Sequence, residues 1–562
     1  MFSKEQKMTV EVTLEEIEQI WFCTRRNVKR VLKQLEAKQY FQYIPGKGRG
    51  NRSVLIFNHS FQEEIEGYIK ECAEQDRLDR IAYVLRLPIP KAWIIQHSTD
   101  IQHLLGFKRN EDAKDILYTF KNREISTLDP LKASIALEVH LIQQLGDTLV
   151  QYDSINDEIK PHLAHHFLID ESETIYTFYL RKDVHFHNMD KVTSSDIVFT
   201  IKRLQSESRA YAWLTDSIQQ IVCESPHKVS IYLKKKNSLF LRLLSTPSFC
   251  ILPESSPNNE DEWIGTGPFI LKERTKNKLI LQAFGHYFKE RPLIDEVHFY
   301  TVSQVAADTL YLQADQSEKL TETSDHTLRD LGFVYFLYNQ QQNTLLQNQY
   351  LRTALYHLID VPKMAAEVDL TILEASSFSE DRSIPSIRDQ SYIPTLLKKA
   401  NYQGEELSLA HLTNEWSKKE VKWMIKHALS YGVNLKSIPI SHQDFYKQDI
   451  SNKVDILFMK LVFSYDKHLA FMSAFKNEQL LMMRFLPKDA QSFMEEQLSQ
   501  FEESYSYDKR EQIIMNTETY LRQNHHINFL YHPVITRTLD PIIQDATHHS
   551  FGHLDFSKLW LP

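Results

Sequence analysis

Apolar positions divide the chain into a short N-terminal part with a regular helical and strand pattern and a long remainder that mixes strands and helices. Near the N-terminus, Val28, Val31, Leu32 and Leu35 recur at i, i+3, i+4 and i+7, the spacing of one helix face. Residues 41–44 and 53–57 alternate like two strands. The pattern predicts a helix followed by a hairpin within the first 60 residues.

The ends of the N-terminal elements are marked by capping residues. Thr13 and Glu16 have the spacing of a capping box, which predicts a short helix through about Ile20. We expect residues 22–23 to form a tight turn and Thr24 to cap the second helix. Two short helices joined by such a turn are the arrangement of a helix-turn-helix.

Positive charge is concentrated in this same part of the chain. Residues 24–52 contain nine Lys or Arg and one acid, Glu36, whereas the whole chain has a formal charge of −9. The local charge is therefore +8, and the remainder carries −17. Since phosphate contacts dominate nucleic-acid affinity and act locally, double-stranded DNA is the predicted partner of this module alone.

The predicted DNA contacts fall on the second helix and on the loop between the two strands. A recognition helix in the major groove would use Arg25, Arg26, Asn27, Lys29, Arg30 and Lys33. The glycine-rich loop would act as a wing and contact phosphates through Lys47, Arg49, Asn51 and Arg52. A nucleotide-binding loop is the alternative, but the G-x4-G-K-[ST] spacing is missing.

Residues 60–112 have a helical pattern. We expect a helix over Phe61–Leu87, ended by Pro88, and another over Trp93–Leu105. Their apolar stripe is not a sustained heptad, so it fits packing on the protein itself as well as homodimerisation. The predicted domains are thus a winged helix at 1–59, a helical connector at 60–112 and a large domain at 113–562.

The large domain alternates between strands and helices. Strands are predicted at 116–120, 175–180, 229–233 and 297–300, and helices at 194–204 and 349–359. This is an α/β pattern, and about 450 residues of it suggest two lobes. A small-molecule effector would bind in a cleft between such lobes.

Composition agrees with a globular cytoplasmic protein. The chain has 562 residues, 42% of them hydrophobic and 25% charged. Its first residues lack the apolar run of a signal peptide and no later stretch is long and apolar enough to span a membrane, so we expect a cytoplasmic location. Cys23, Cys72, Cys223 and Cys250 lack CxxC spacing, so we expect reduced thiols and no zinc site. No cofactor is indicated.

Two stretches carry family resemblances. VTLEEIEQIWFCTRRNVKRVLKQLEAKQYFQYIPGKGRGNRSVLIF resembles the N-terminal domain of SgrR-type transcriptional regulators. A winged helix usually has a further helix before the capping box, so that helix is either rudimentary here or lies upstream of Met1. From 113 to 562, the runs LDP, YTFYLRKDVHFHNMDKVTSSDIVFTIKRL, GTGPF and LYNQQQNTLLQNQYLRTALYHLID resemble family 5 solute-binding proteins. The implied fold is a two-lobed, periplasmic-binding-protein-like α/β domain of type II.

Two departures from the family pattern bear on the turn and on the ligand. Met189 stands where the family turn usually has Gly, so a reshaped turn is expected there. Ser464 stands where peptide binders have an aspartate that pairs with the peptide amino terminus. Losing that carboxylate disfavours a free-amine peptide and favours a neutral or anionic solute. The resemblance to SgrR-type regulators points to a sugar phosphate.

Candidate ligand-binding and metal-binding residues are scattered along the large domain. The predicted cleft residues are Tyr211, Trp213, Asn339, Trp416, Ser464 and Tyr465. His185 and His187 alternate on a strand and could bind a metal, although the resembling family uses this pair as framework. No GxSxG or HExxH motif is present, so catalysis is not expected.

These observations favour a ligand-responsive transcriptional regulator. The main alternative is a solute-binding receptor of an ABC-type importer of the peptide or nickel class. A metal-dependent hydrolase that uses His185 and His187 is a third reading. The sequence leaves open the operator, the ligand, the direction of regulation and the oligomeric state.

Overall fold

The computed structural model describes residues 9–46, 52–75, 77–87, 89–97, 101, 104–109, 114–208, 210–255, 260–303, 306, 332–342, 344–441, 444–445, 449–462, 466–534 and 554–560. The chain divides into two compact units. Unit 1 comprises residues 1–124, 275–279 and 297–323, and unit 2 comprises 125–274, 280–296 and 324–562.

The elements follow one another along the chain as short strands and helices. The described helices are α1 Leu14–Trp21, α2 Arg25–Ala37, α3 Phe61–Glu74, α4 Leu78–Leu85, α5 Lys91–Gln96, α6 Ala136–Leu145, α7 Ser194–Glu207, α8 Phe240–Leu244, α9 Thr344–Gln347, α10 Gln349–Leu358, α11 Val361–Val368, α12 Ile393–Lys399, α13 Glu415–Leu429, α14 Lys467–Lys476, α15 Met482–Phe485, α16 Lys488–Glu503 and α17 Tyr507–Gln523. The described strands are β1 Thr9–Val12, β2 Phe41–Ile44, β3 Ser53–Phe57, β4 Gly106–Arg109, β5 Asp115–Lys121, β6 Val150–Asp153, β7 Glu158–Pro161, β8 Ala164–Ile169, β9 Ile175–Leu180, β10 Ile218–Ser225, β11 Lys228–Leu233, β12 Phe269–Arg274, β13 Lys278–Ala283, β14 Glu296–Thr301, β15 Gly332–Tyr338, β16 Ile372–Glu374, β17 Glu406–Leu412, β18 Asn434–Ile440, β19 Ile456–Val462 and β20 Ile527–Pro533.

Unit 1 begins with a small α+β fold. Strands β1, β3 and β2 form an antiparallel sheet in that order, and α1 and α2 pack on it. The capping box is present, because the Glu16 N–H donates to Thr13 Oγ1 at 3.1 Å and the Thr13 N–H donates to Glu16 Oε2 at 2.9 Å. Thr24 lies at the N-cap of α2, but its side chain makes no capping hydrogen bond. The pattern did not predict β1, which precedes the capping box.

The connector corrects one prediction. Instead of a single helix over 61–87, the chain forms α3 and α4 with a break near Gln75. The break allows Ile69 of α3 and Ile81 of α4, both fully buried, to face one shared apolar cluster. A continuous helix would have carried the second stripe away from that cluster. Only the first part of the predicted helix over 93–105 is seen as α5, which spans Lys91–Gln96, and β4 begins at Gly106.

Unit 2 contains two larger sheets. The four-stranded antiparallel sheet has the order β10-β11-β9-β8 and belongs to the part we call the first lobe, residues 150–244. The six-stranded mixed sheet has the order β16-β20-β15-β19-β17-β18 and belongs to the second lobe, residues 332–534. One apolar cluster includes Phe178 and Phe240 of the first lobe with Phe333 and Phe471 of the second. The predicted α/β fold class is thus confirmed.

Two sequence motifs form the framework beside the first lobe. Asp129 of the LDP turn is fully buried and receives two hydrogen bonds from Arg203 of α7, at 3.0 and 2.8 Å. This bidentate pair fixes the helix against the turn. Met189 has a φ of 72°, so the turn that usually contains Gly keeps its left-handed backbone despite the side chain.

The GTGPF turn leaves no room for a side chain at Gly267. A Cβ there would lie 2.4 Å from the Leu145 carbonyl carbon and 2.5 Å from the Gly146 nitrogen. Both are backbone atoms, so the strain cannot be relieved by a rotamer change. We expect Gly267→Ala to lower the free energy of unfolding by about 2–3 kcal/mol, a typical cost of overpacking. Urea titration checks this, with Gly285→Ala as the control, because Gly285 has open space around it.

Candidate nucleic-acid interface and ligand-sensing domain

Helix α2 has an apolar face and a basic face. Val28 and Leu32 are buried against the sheet, with 0% and 1% of their surface exposed. Five predicted DNA contacts lie on the exposed side at steps of about one turn: Arg25, Arg26, Lys29, Arg30 and Lys33. The helix therefore presents one continuous cationic stripe.

Neighbouring groups modify the charge of this stripe unevenly. Arg25 lies 3.7 Å from carboxylate oxygens of both Glu15 and Glu18. Asn27 does not extend freely, because its Oδ1 accepts hydrogen bonds from Arg30 Nε at 3.1 Å and Nη2 at 2.8 Å. This contact fixes the direction of the Arg30 guanidinium.

Three cations of the stripe are without such neighbours. Arg26, Lys29 and Lys33 are exposed, and within the described residues none of them forms an ion pair. On α2, the charges of these three side chains are the most available for binding a polyanion.

Only one of the predicted wing residues can be placed. Arg52 immediately precedes β3, and its Nη2 lies 3.0 Å from Glu16 Oε1. Lys47, Arg49 and Asn51 lie outside the described residues. Arg52 thus holds α1 to the hairpin through the same Glu16 that completes the capping box.

Two of the predicted ligand contacts are engaged by the protein itself. The Tyr211 hydroxyl donates to the Ala133 carbonyl at 2.8 Å. Asn339 is 1% exposed, and its side-chain nitrogen donates to the carbonyls of Ser451 and Val454 at 2.6 and 2.9 Å. Both side chains therefore fix loops, and their contact with a ligand stays a prediction.

Of the remaining predicted ligand contacts, Trp213 and Trp416 lie within the described residues. Trp213 is half-buried, with Lys476 Nζ 5.8 Å from its ring centroid, and its indole N–H has no acceptor. Trp416 is half-buried on α13, beside Lys419. Ser464 and Tyr465 lie outside the described residues.

Of the two histidines considered as metal ligands, His187 is held by the GTGPF turn. His187 accepts a hydrogen bond from the Gly265 N–H at Nδ1 and donates from Nε2 to the Gly267 carbonyl at 3.1 Å. Burial lowers the pKa of His187 to about 4, so the ring is neutral at pH 7. Both ring nitrogens of His187 are therefore used by the GTGPF turn.

A buried ion pair that the sequence did not reveal joins the two lobes of unit 2. Arg242, on α8 of the first lobe, donates from Nε to Asp466 Oδ2 at 2.8 Å and from Nη2 to Asp466 Oδ1. The side chains are only 8% and 10% exposed. The guanidinium carbon also lies 4.2 Å from the centroid of the Tyr152 ring, and Nη1 is 3.4 Å from Asp157.

The pair continues into the second lobe as a chain of charged contacts, which we call the Arg242 network: Arg242, Asp466, His468, Glu511 and Arg382. Arg242 Nη1 donates to His468 Nδ1 at 3.3 Å, and His468 Nε2 lies 2.9 Å from Glu511 Oε1. Glu511 Oε2 accepts from Arg382 at 2.5 Å. Burial alone would raise the pKa of Glu511, but His468, Lys467 and Arg382 lower it to about 2.

Further polar contacts cross between the lobes near the network. Ser238 Oγ of the first lobe lies 2.7 Å from the Glu502 carbonyl and accepts from Arg510 at 3.0 Å. Lys236 pairs with Glu173 within the first lobe, and Glu173 accepts from Tyr505 of the second. The lobes are therefore held together by polar groups as well as by the apolar cluster.

Comparison with known proteins shows which families this chain resembles. Residues 158–479 match the model of the bacterial extracellular solute-binding proteins, family 5 middle region. The chain belongs to this family. Residues 1–94 match a second model, the sugar transport-related sRNA regulator N-terminal domain. The combination identifies this family 5 protein as an SgrR-type regulator.

Relatives of this family 5 protein match it over different shares of its length. YhjP of Bacillus subtilis (strain 168) is 27% identical over 98% of this chain and 96% of its own length. The HTH-type transcriptional regulator SgrR of Photorhabdus laumondii is 25% identical, and the match spans 66% of this chain and 65% of that protein. The murein tripeptide binding protein MppA of Escherichia coli has the same fold, with a TM-score of 0.68 and 20% identity over 80% of this chain and 98% of that one.

The sequence contained one signal for the Arg242 network. Arg242 interrupts the apolar run of α8, and a charged residue in a buried helix usually has a partner. The partner could not be named, because Asp466 lies 224 positions away. Among the described residues, no group of three or more His, Cys, Asp or Glu could hold a metal ion, and no helix has the length and hydropathy to cross a membrane.

Proposed function

We propose that this SgrR-type protein is a ligand-responsive transcriptional regulator of the cytoplasm, in which the winged helix binds double-stranded DNA and the family 5 domain senses a small molecule. The observation that carries the proposal is the cationic stripe of α2 on a winged-helix fold. A solute receptor of an importer has no use for such a surface.

In this proposal, α2 enters the major groove by its N-terminal end. Arg25, Arg26 and Asn27 would reach base edges, while Lys29, Arg30 and Lys33 contact phosphates and fix the register. Lys47, Arg49, Asn51 and Arg52 of the hairpin would grip the adjacent backbone or minor groove. The Asn27 contact supports an oriented Arg30, since its guanidinium is held before DNA arrives.

The family 5 domain binds its ligand in the cleft and does not transform it. Because the aspartate that pairs with a peptide amino terminus in peptide binders is Ser464 here, the ligand is a neutral or anionic solute such as a sugar phosphate. Trp213 supports a cleft position, because its indole N–H is an unused donor. Ligand binding would shift the equilibrium between the open and closed arrangements of the two lobes. A coupling free energy of about 1–3 kcal/mol between ligand binding and DNA binding suffices for a switch.

Selection of bound DNA tests the first half of the proposal. The full chain is incubated with fragments of its own genome, and enriched duplexes are titrated by fluorescence anisotropy between 50 and 300 mM salt. About five to eight phosphate contacts predict a slope of log K against log salt of about −4 to −7. Absence of enriched fragments, or an affinity independent of salt, would contradict DNA binding.

Thermal shift tests the second half with the same protein. Glucose 6-phosphate, glucose and a tripeptide with a free amino terminus serve as probes. We expect stabilisation by a neutral or anionic solute and none by the tripeptide, since a bound ligand raises the unfolding midpoint by mass action. Stabilisation by the tripeptide alone would instead favour the receptor function.

A further inference from the structure

A groove of about 730 Å³ follows the outer edge of the six-stranded sheet in unit 2. All three residues of β16 line it, and α11 contributes Pro362 and Ala365. Ser383 and Pro385 line its end. The groove belongs to the second lobe alone and is therefore separate from the contacts that join the lobes.

The backbone of β16 offers free hydrogen-bonding groups to this groove. The Val534 N–H donates to the Thr371 carbonyl at 3.2 Å, and the Ala375 N–H donates to the Leu530 carbonyl at 3.1 Å. Hydrogen-bonded and non-hydrogen-bonded pairs alternate in an antiparallel ladder. The backbone N–H and C=O of Leu373 therefore also point towards β20, and those of residues 372 and 374 point away from it. Pro533, which lies opposite Ile372, has no backbone N–H and so cannot donate a hydrogen bond to β16.

These outward backbone groups are unused. Within the described structure, no other strand, loop or side chain bonds to the N–H or C=O of Ile372 or Glu374. A sheet edge of this kind is a template for pairing with another strand.

The side chains around the edge indicate what kind of strand fits. Among the described residues, the charged side chains that line the groove are Glu374 and Glu380. Glu374 Oε2 also accepts a hydrogen bond from the Ser386 N–H at 3.3 Å. Leu373 and Ile384 are 40% and 65% exposed beside it. An acidic groove with apolar walls complements a segment that alternates basic and apolar side chains.

We propose that this groove binds an extended lysine- or arginine-containing segment of a partner protein, which adds to β16 as a further strand. Backbone bonds to residues 372 and 374 supply affinity, and Glu374 and Glu380 select basic side chains. A second copy of this chain fits less well. Pairing β16 with β16 of another copy would bring Glu374 and Glu380 of both copies close together, and like charges destabilise strand pairing.

Phage display of random heptapeptides on the full chain tests this proposal. We expect enriched peptides to alternate Lys or Arg with apolar residues. The corresponding synthetic peptide should lose at least tenfold in affinity on Ile372→Pro, which removes an outward N–H and keeps both acids. Proline is tolerated at a sheet edge where the N–H is not part of the ladder. Ile372→Val is the matched control and should bind as the parent does.

Several results would overturn the proposal. Enriched peptides without basic residues, or equal binding to the Pro and Val variants, would exclude the edge as the site. A dimer seen by sedimentation that is lost in Ile372→Pro would assign the groove to a second copy. If Ile372→Pro does not fold, Glu374→Gln combined with Glu380→Gln decides the question, with an expected loss of at least fivefold for the basic peptide.

Discussion

Replacing Arg26, Lys29 and Lys33 with alanine is expected to weaken binding of the full chain to its selected duplex by about 100-fold or more at 100 mM salt. These cations are exposed on α2 and form no ion pair within the described structure, so their whole charge is available to DNA. Each lost phosphate contact should also reduce the salt slope by about 0.9. The fold should be unaffected, because alanine favours helices and the buried face is unchanged.

The matched control removes the same charge elsewhere. Lys70, Arg80 and Lys202 are exposed and lie outside α2, and their replacement with alanine changes net charge by the same amount. We expect the control triple to keep the parent affinity within about threefold. Equal loss in both triples would mean that total charge, not the α2 stripe, governs binding. An unchanged salt slope in the α2 triple would remove the recognition-helix assignment.

Replacing Arg242 with methionine is expected to lower the free energy of unfolding by about 3–5 kcal/mol. Methionine keeps much of the volume but leaves Asp466 buried without its cation, the usual reason why half of a buried pair is so destabilising. The midpoint of urea unfolding, followed by tryptophan fluorescence of the full chain, measures this effect.

Asp466→Asn separates the charge from the helix cap. Asp466 accepts from the Leu469 N–H at 3.0 Å as the N-cap of α14, a position that asparagine fills equally well. The double variant Arg242→Met with Asp466→Asn should therefore be more stable than Arg242→Met alone. Strictly additive losses in the cycle would show that the two side chains do not interact.

The network also predicts how stability depends on pH. Because His468, Lys467 and Arg382 lower the pKa of Glu511 from 4.5 to about 2, against the raising effect of burial, folding favours its ionised form. This stabilisation is fully present above pH 4.5 and is lost as pH falls towards 2. Glu511→Gln should flatten this part of the pH profile.

Local signals were enough to predict the two helices and the hairpin of the N-terminal fold, but not β1. Thr13 and Glu16 form their capping box within one helical turn, and the strands at 41–44 and 53–57 follow a two-residue alternation that needs no distant partner. The helix break near Gln75 could not be predicted, because both apolar stripes fit one long helix until the shared cluster is known.

The chain by itself determined which residues carry charge and where the elements begin, because capping, periodicity and charge density act over a few neighbouring positions. It thereby determined the basic α2 stripe and the family 5 character of the large domain. Only the tertiary structure decided that Arg242 meets Asp466, that Asn339 is engaged by backbone carbonyls, and that β16 keeps a free edge. Each depends on segments that are distant in sequence, and no local preference specifies which of them meet.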